Sequence, residues 1–214
     1  MKPAFELIAG HPALDLVNTR DWRFRATGAE ELLKTYDDLL RFVEQSQLLT
    51  PKQTRELRRS ASERTLLRSR ELREALADIF YERGSSVASR ATLEQYVKAA
   101  RLQQKLNWKQ SPHVEWEWPA ELDPELPLWA LALGAGDLMT SDAVDRVRVC
   151  DNPECRWLFI DTSKNHTRRW CDMKLCGNRM KARRFKAQRK GPRMDGQGKL
   201  RAPQTNPCAP AGER

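Results

Sequence analysis

Four cysteines near the end of the chain, Cys150, Cys155, Cys171 and Cys176, form two C-x4-C pairs separated by fifteen residues. This arrangement predicts four thiolates converging on one zinc ion. Between the first two lie Asp151, Asn152, Pro153 and Glu154, a turn-forming set that folds the chain back so that both sulfurs face one point. Tetrahedral Zn–S bonds of roughly 2.3 Å would join elements too small to bury a core, so metal binding would be part of folding. Two disulfides, a redox dithiol pair and an iron–sulfur cluster are the competing uses of four cysteines. The N-terminus lacks a signal-peptide pattern and no run approaches the roughly 18 apolar residues of a spanning helix, which predicts a soluble cytoplasmic protein without a membrane partner. A reducing compartment disfavours disulfides, and the redox motif expects C-x-x-C spacing. Cys208 falls outside the quartet and is expected to be a free thiol.

The residues around the cysteines predict a small module. Val147, Arg148 and Val149 alternate, which suggests a short strand entering the first pair. Trp157 to Asp161 reads as a strand, Thr162 to Thr167 as a turn, and Arg168, Arg169 and Trp170 as the return that closes a hairpin. A helix then starts near Cys176. Knuckle, hairpin and helix together are treble-clef-like. At ~100° per residue that helix places Cys176, Met180 and Ala187 on one face, with Arg179, Arg183, Lys186 and Lys190 as an adjacent stripe. Phe185 falls opposite the apolar face.

The charge of the chain is concentrated in the same place. From Arg179 to Arg201 there are ten basic residues against one acid, Asp195, and that excess equals the +9 of the whole chain. A balanced body with one basic appendage predicts a localised polyanion contact. A solvated charge run is the bland alternative, but it would mix in acids, and none occurs from Lys174 to Lys190. The predicted nucleic-acid contacts are Arg179, Lys181, Arg183, Arg184, Lys186 and Lys190, helped by Arg168 and Arg169. An acidic membrane surface is the competing polyanion. Beyond Gly191 the composition predicts disorder, with Arg193, Lys199 and Arg201 adding nonspecific charge.

The preceding chain predicts a mainly α domain, residues 1–143, ahead of a finger at 144–190 and a basic tail at 191–214. Thr27 and Glu30 form a capping-box signature ahead of Leu32, Leu33, Tyr36, Leu39, Leu40 and Val43 at helical spacing. Thr50, Pro51 and Gln53 start the next pattern, one long helix or two shorter ones continuing to Gly84. Thr92 and Gln95 repeat the capping logic for a third helix ending near Trp108. At Val114 to Trp118 the period becomes two, the mark of a half-buried strand. Leu128 to Met139 is apolar nearly all round and predicts a central buried helix, with Asp137 as a hydrogen-bonded acid near its end. His11, Asp15 and Asn18, near the Gly10, His11, Pro12 breaker, are candidates for a small-molecule pocket, although caps and turn contacts are the commoner use of such residues. No phosphate loop, nucleophile elbow or paired-carboxylate pattern is present, so the chain is not expected to be an enzyme.

With these residues in view, the C-terminal part resembles the bacterial CGNR zinc-finger family, whose name is spelled by Cys176, Gly177, Asn178 and Arg179. The resemblance includes Trp157, Phe159, Asp161, Arg168, Arg169, Trp170 and Cys171. That family joins the finger to an N-terminal ABATE domain, and Ala13 to Thr19 (ALDLVNT) is similar to that domain's opening motif. The resemblance implies a stress-responsive bacterial transcription regulator, with Zn2+ in the finger, DNA as its partner at the nucleoid, and a small-molecule effector sensed by the N-terminal part. An RNA-binding finger that stacks Trp157 and Trp170 on bases is the second reading. An enzyme in the helical domain using His11, Asp15 and Asn18 is the third. A single short finger buries little surface, so useful specificity would call for a homodimer.

Overall fold

The protein is described from a computed structural model, which covers residues 5–82, 86–110 and 113–190, with the side chains of 109, 110, 113 and 187–190 outside it. Its elements are α1 (Pro12–Asn18), β1 (Arg20–Asp21), β2 (Glu30–Glu31), α2 (Tyr36–Gln45), α3 (Pro51–Leu57), α4 (Glu63–Tyr81), α5 (Val87–Arg101), β3 (Lys105–Gln110), β4 (His113–Glu117), α6 (Leu126–Met139), β5 (Val147–Val149), β6 (Leu158–Ile160) and α7 (Asn178–Lys190). The strands pair as three separate antiparallel ribbons, β1 with β2, β3 with β4 and β5 with β6. The fold is mainly α with small β elements, as its sequence predicts.

Helix α6 forms the centre. Leu128, Leu131, Ala132, Ala135 and Leu138 are all buried, because α1, α2, α4 and α5 pack around it. Gly136 lets α5 approach: a Cβ there would sit 3.2 Å from Val97 Cγ2. Asp137 is two-thirds exposed and pairs with Arg101 at 3.2 Å, so it is a surface partner of α5.

Several boundaries move relative to the sequence expectations, each for a local reason. The capping box lies at Thr35 and Asp38, and α2 starts at Tyr36 rather than after Thr27. Ahead of it, Gly28 adopts φ +99° and the chain doubles back to pair Asp21 with Glu30. Glu31 is held there by buried Arg73 of α4, which donates to its two carboxylate oxygens at 2.7 and 2.6 Å. The Thr50, Pro51, Gln53 start is found, and the following pattern is two helices, α4 being capped by Ser62. Gly84 lies outside the described residues. Ser86 caps α5, leaving Thr92 and Gln95 inside the helix. That helix stops at Arg101, and Lys105–Gln110 is a strand facing β4, with Leu106 opposite Trp116. The ribbon is not half-buried: Trp108 is 73% and Trp116 57% exposed.

The finger's hairpin also differs. Strand β6 pairs with β5 across the first cysteine pair, Val149 facing Leu158, while residues 168–170 return as an irregular segment in which the Arg169 carbonyl accepts from the Asp151 N–H at 2.9 Å. Leu158 and Ile160 bury themselves in the core shared with α1 and α6, whereas Phe159 points to the cysteines. Alternation along one strand thus joins the finger to the helical body. The tail, with Arg193, Lys199, Arg201 and Cys208, lies outside the described residues.

Candidate metal centre and basic helix

Cys150, Cys155, Cys171 and Cys176 are all buried, and their sulfurs lie within 4.8 Å of one another. Cys171 Sγ is 3.7 Å from both Cys155 Sγ and Cys176 Sγ. A tetrahedron of sulfurs with metal–sulfur bonds of about 2.3 Å has edges of about 3.8 Å, so the quartet fits a metal ion. No pair is bonded, since a disulfide needs about 2.05 Å. The thiols are coupled to one another: the neighbouring Cys155 and Cys171 thiols hold Cys150 well below the usual thiol range. The Cys155 and Cys171 thiols are in turn pushed up, first by their bonds to Cys150. One thiolate forms readily and the rest resist, because four adjacent negative charges need a cation among them.

The surrounding chain fixes the sulfurs. Asn152, fully buried, donates from Nδ2 to Cys176 Sγ at 3.3 Å, and its carbonyl accepts from the Cys155 N–H at 3.0 Å. Such N–H donors orient a thiolate ligand and stabilise its charge. Asp161 is buried in the loop that follows β6, where its carboxylate accepts from the Ser163 hydroxyl at 2.6 Å and the Arg168 N–H at 2.9 Å. These bonds, led by the Ser163 hydroxyl, hold its carboxyl below the usual range. A single turn of π-helix, Met173–Gly177, carries Cys176 into α7. Gly177 is required by crowding: a Cβ would sit 3.3 Å from Trp170 Cδ1 and meet the Met173 sulfur.

Beyond the knot, α7 leaves the body. Cys176 and Gly177 are buried and Met180 is half-buried, and residues 181–186 are all exposed. Lys181, Arg184 and Lys186 therefore face solvent. Arg183 pairs with Glu154 at 3.0 Å, and Arg179 lies over the Trp22 ring at 5.2 Å. The side chains of Ala187 and Lys190 fall outside the described residues. Arg168 is engaged within the finger: its Nε donates to the Trp170 carbonyl at 2.9 Å, a second nitrogen donates to the Cys171 carbonyl, and it covers Phe159. It braces the finger's own chain in this structure. Arg169 is exposed and stacks over Trp170 while bonding Asp151.

The structure gives His11, Asp15 and Asn18 structural partners, and none of them lines the cavity bordered by Trp22 and Trp157. His11 caps α1, its Nδ1 accepting from the Ala13 N–H at 3.2 Å, and burial lowers its pKa and favours the neutral ring that this bond needs. Asn18 makes a two-way bond with β6, donating to the Leu158 carbonyl at 3.0 Å and accepting from its N–H at 2.9 Å. Asp15 accepts from the Ala9 N–H at 3.0 Å, and the Ala9 carbonyl accepts from Ile160. Asn18 thus ties the helical body to the finger and Asp15 braces the Ala9 segment that Ile160 joins, while His11 caps its own helix, the capping and turn use that such residues commonly have.

Burial raises the Asp15 carboxyl to about 6, against the opposing effect of its Ala9 and Ile8 N–H donors. Between pH ~4 and ~6 the native state holds a proton that the unfolded chain has lost, so this contribution to stability falls as pH rises through the window. Asp15→Asn mimics the protonated form. Urea melts are expected to show the variant about 2–3 kcal/mol more stable than the parent above pH ~6, with the gain vanishing near pH ~4.

Sequence reasoning missed Trp22, Asp21 and Arg73. Asp21 accepts from the Trp157 indole N–H at 2.8 Å, joining β1 to the finger. Burial pushes its carboxyl up, and neighbouring Glu30 adds to this. The only sequence signal was proximity, Asp21 and Trp22 lying one residue beyond the ALDLVNT stretch.

Comparison with known families gives two matches. The "CGNR zinc finger" pattern covers residues 146–189, and the ABATE pattern, described as "Putative stress-induced transcription regulator", covers residues 10–142. No curated protein matches the chain. The helical body and the cysteine module thus coincide with two known units, and the chain belongs to the ABATE family, with a CGNR zinc finger as its second unit.

Proposed function

We propose that this protein is a DNA-binding transcription regulator, without enzymatic activity, acting at the nucleoid as a pair of copies. The observation that carries the reading is α7: an acid-free basic helix whose residues 181–186 are exposed, anchored at one end by a metal knot. A helix held at its base with exposed cations is suited to lie along a groove, where Lys and Arg position it on phosphates and reach base edges. The metal is zinc, because four cysteine thiolates at tetrahedral spacing and without open coordination form a structural zinc site. The family description supports regulation of transcription in response to stress.

The RNA reading loses support from Trp157, which is 9% exposed with its indole N–H held by Asp21 at the seam between the two units rather than on an open stacking face. Among the described residues no helix is long and apolar enough to cross a membrane. Fluorescence anisotropy with duplex DNA at increasing NaCl tests the reading. If about four to six phosphates are neutralised, log K falls against log salt with a slope of roughly −4 to −5. Association that ignores salt, or a preference for structured RNA in competition, would overturn it.

A further inference from the structure

A cavity of about 620 Å3 lies where helical body and finger meet, bordered on the finger side by Cys155, Cys171 and Cys176 as well. Its size suits a small organic molecule. Trp22 and Leu32 come from the β1–β2 region and Trp157 and Leu175 from the finger, so the walls are chiefly aromatic and aliphatic. Leu175 is 44% exposed, leaving apolar surface uncovered beside the knot.

Two carboxylates share one wall. Asp21 and Glu30 are direct cross-strand partners, and both line the cavity. Like charges opposite one another in a ladder repel, and a bound cation relieves that repulsion. The neighbouring acid Glu31 is neutralised by Arg73, and Asp38 by Arg41 at 3.2 Å. Glu30 is exposed, on the β-ribbon that Arg73 anchors.

The chain itself shows which chemistry this wall accepts. Two of its own guanidinium groups sit on Trp22, Arg25 at 3.7 Å and Arg179 at 5.2 Å. Arg179 lines the cavity and belongs to the first turn of α7. It behaves as an internal ligand reaching from the basic helix into an aromatic and acidic recess.

We propose that this recess is an effector site for an apolar organic cation, an amidine, guanidine or amine on an aromatic body, which displaces Arg179 from Trp22. The proposal rests on the DNA-binding reading for its consequence and on the cavity alone for its binding. Occupancy releases Arg179 toward the polyanion, and reciprocity requires that DNA tighten the effector by the same factor. Lys34 and Arg41 also line the cavity, which makes the sign of the preferred charge a sharp test.

The test uses the metal-loaded full chain and three probes with one body, biphenyl-4-carboxamidine, biphenyl-4-carboxamide and biphenyl-4-carboxylate, titrated by calorimetry without DNA. The amidine is expected to bind about tenfold more tightly than the amide, with the carboxylate weakest. Glu30→Gln removes most of that preference. Arg179→Ala tightens the amidine several-fold by removing its competitor, the opposite of what a scaffold role predicts. A carboxylate that binds best, no heat from any probe at millimolar concentration, or an Arg179→Ala variant that leaves amidine affinity unchanged or weakens it overturns the proposal. Because these titrations contain no DNA, they stand or fall independently of the salt slope. Adding the amidine to the DNA complex then reads the coupling, expected as a several-fold gain in DNA affinity; unchanged affinity overturns the release of Arg179.

Discussion

Replacement of Cys171 by serine is expected to release the metal, unfold residues 150–176 and abolish duplex binding, while most of the helical signal survives. Cys171 Sγ lies 3.7 Å from two of its three partners. Structural zinc sites in small fingers carry an apparent binding energy of about 10–16 kcal/mol at neutral pH, well above what so short a hairpin gains from burial. Losing one ligand of four removes the closed tetrahedron and leaves three crowded thiols that resist ionisation together. Helices α1 to α6 keep their own core around α6. They do not escape entirely, because Leu158 and Ile160 of the finger belong to that core. Withdrawing two such side chains costs the body about 3–5 kcal/mol. Metal analysis should find less than one equivalent of zinc, and circular dichroism a retained helical spectrum with a lower melting temperature. One full equivalent of zinc in the variant would remove the four-cysteine site from consideration.

The cysteine module was the most legible part of the sequence because its constraint is local: ligand spacing, turn residues between ligands and a helix after the last one follow from the chain order. The central helix was legible for a related reason, since Leu128 to Met139 has no polar face to contradict burial. What escaped was everything set by distant pairing. The capping signature at Thr27 and Glu30 was outcompeted by the ladder of Asp21 with Glu30 and by the Arg73 bond to Glu31, a partner 42 residues away. The third helix stopped at Arg101 because Lys105–Gln110 finds β4, which local propensity does not reveal. The bonds of Arg168 to the carbonyls of Trp170 and Cys171 and its place over Phe159 were likewise not visible in its charge alone. Asn18 shows the same limit most clearly, since its partner lies 140 residues further on.

That pairing leads to the second large effect. Replacing Asn18 with alanine is expected to cost about 4 kcal/mol and to undock the finger without emptying its metal site. In the β5–β6 ribbon, β5 occupies one edge of β6, and the outward N–H and C=O of Leu158 need partners on the other. Asn18 supplies both through one amide, at 2.9 and 3.0 Å, from a side chain that is 4% exposed. Alanine leaves a donor and an acceptor buried without partners, each at about 1–3 kcal/mol. The remaining tie along that edge is the Ile160 N–H to the Ala9 carbonyl at 2.8 Å. Asn18→Asp should be nearly as harmful, because a carboxylate accepts from the Leu158 N–H but repels its carbonyl. The cysteines are untouched, so zinc stays at one equivalent, which separates this variant from Cys171→Ser. Hydrogen exchange at the Leu158 amide should accelerate by about a hundredfold or more. Duplex binding by α7 should persist, whereas its response to the amidine should vanish, since the cavity needs walls from both units. Unchanged exchange at Leu158 together with a stability loss below about 1 kcal/mol would show that the two units are not joined through this residue.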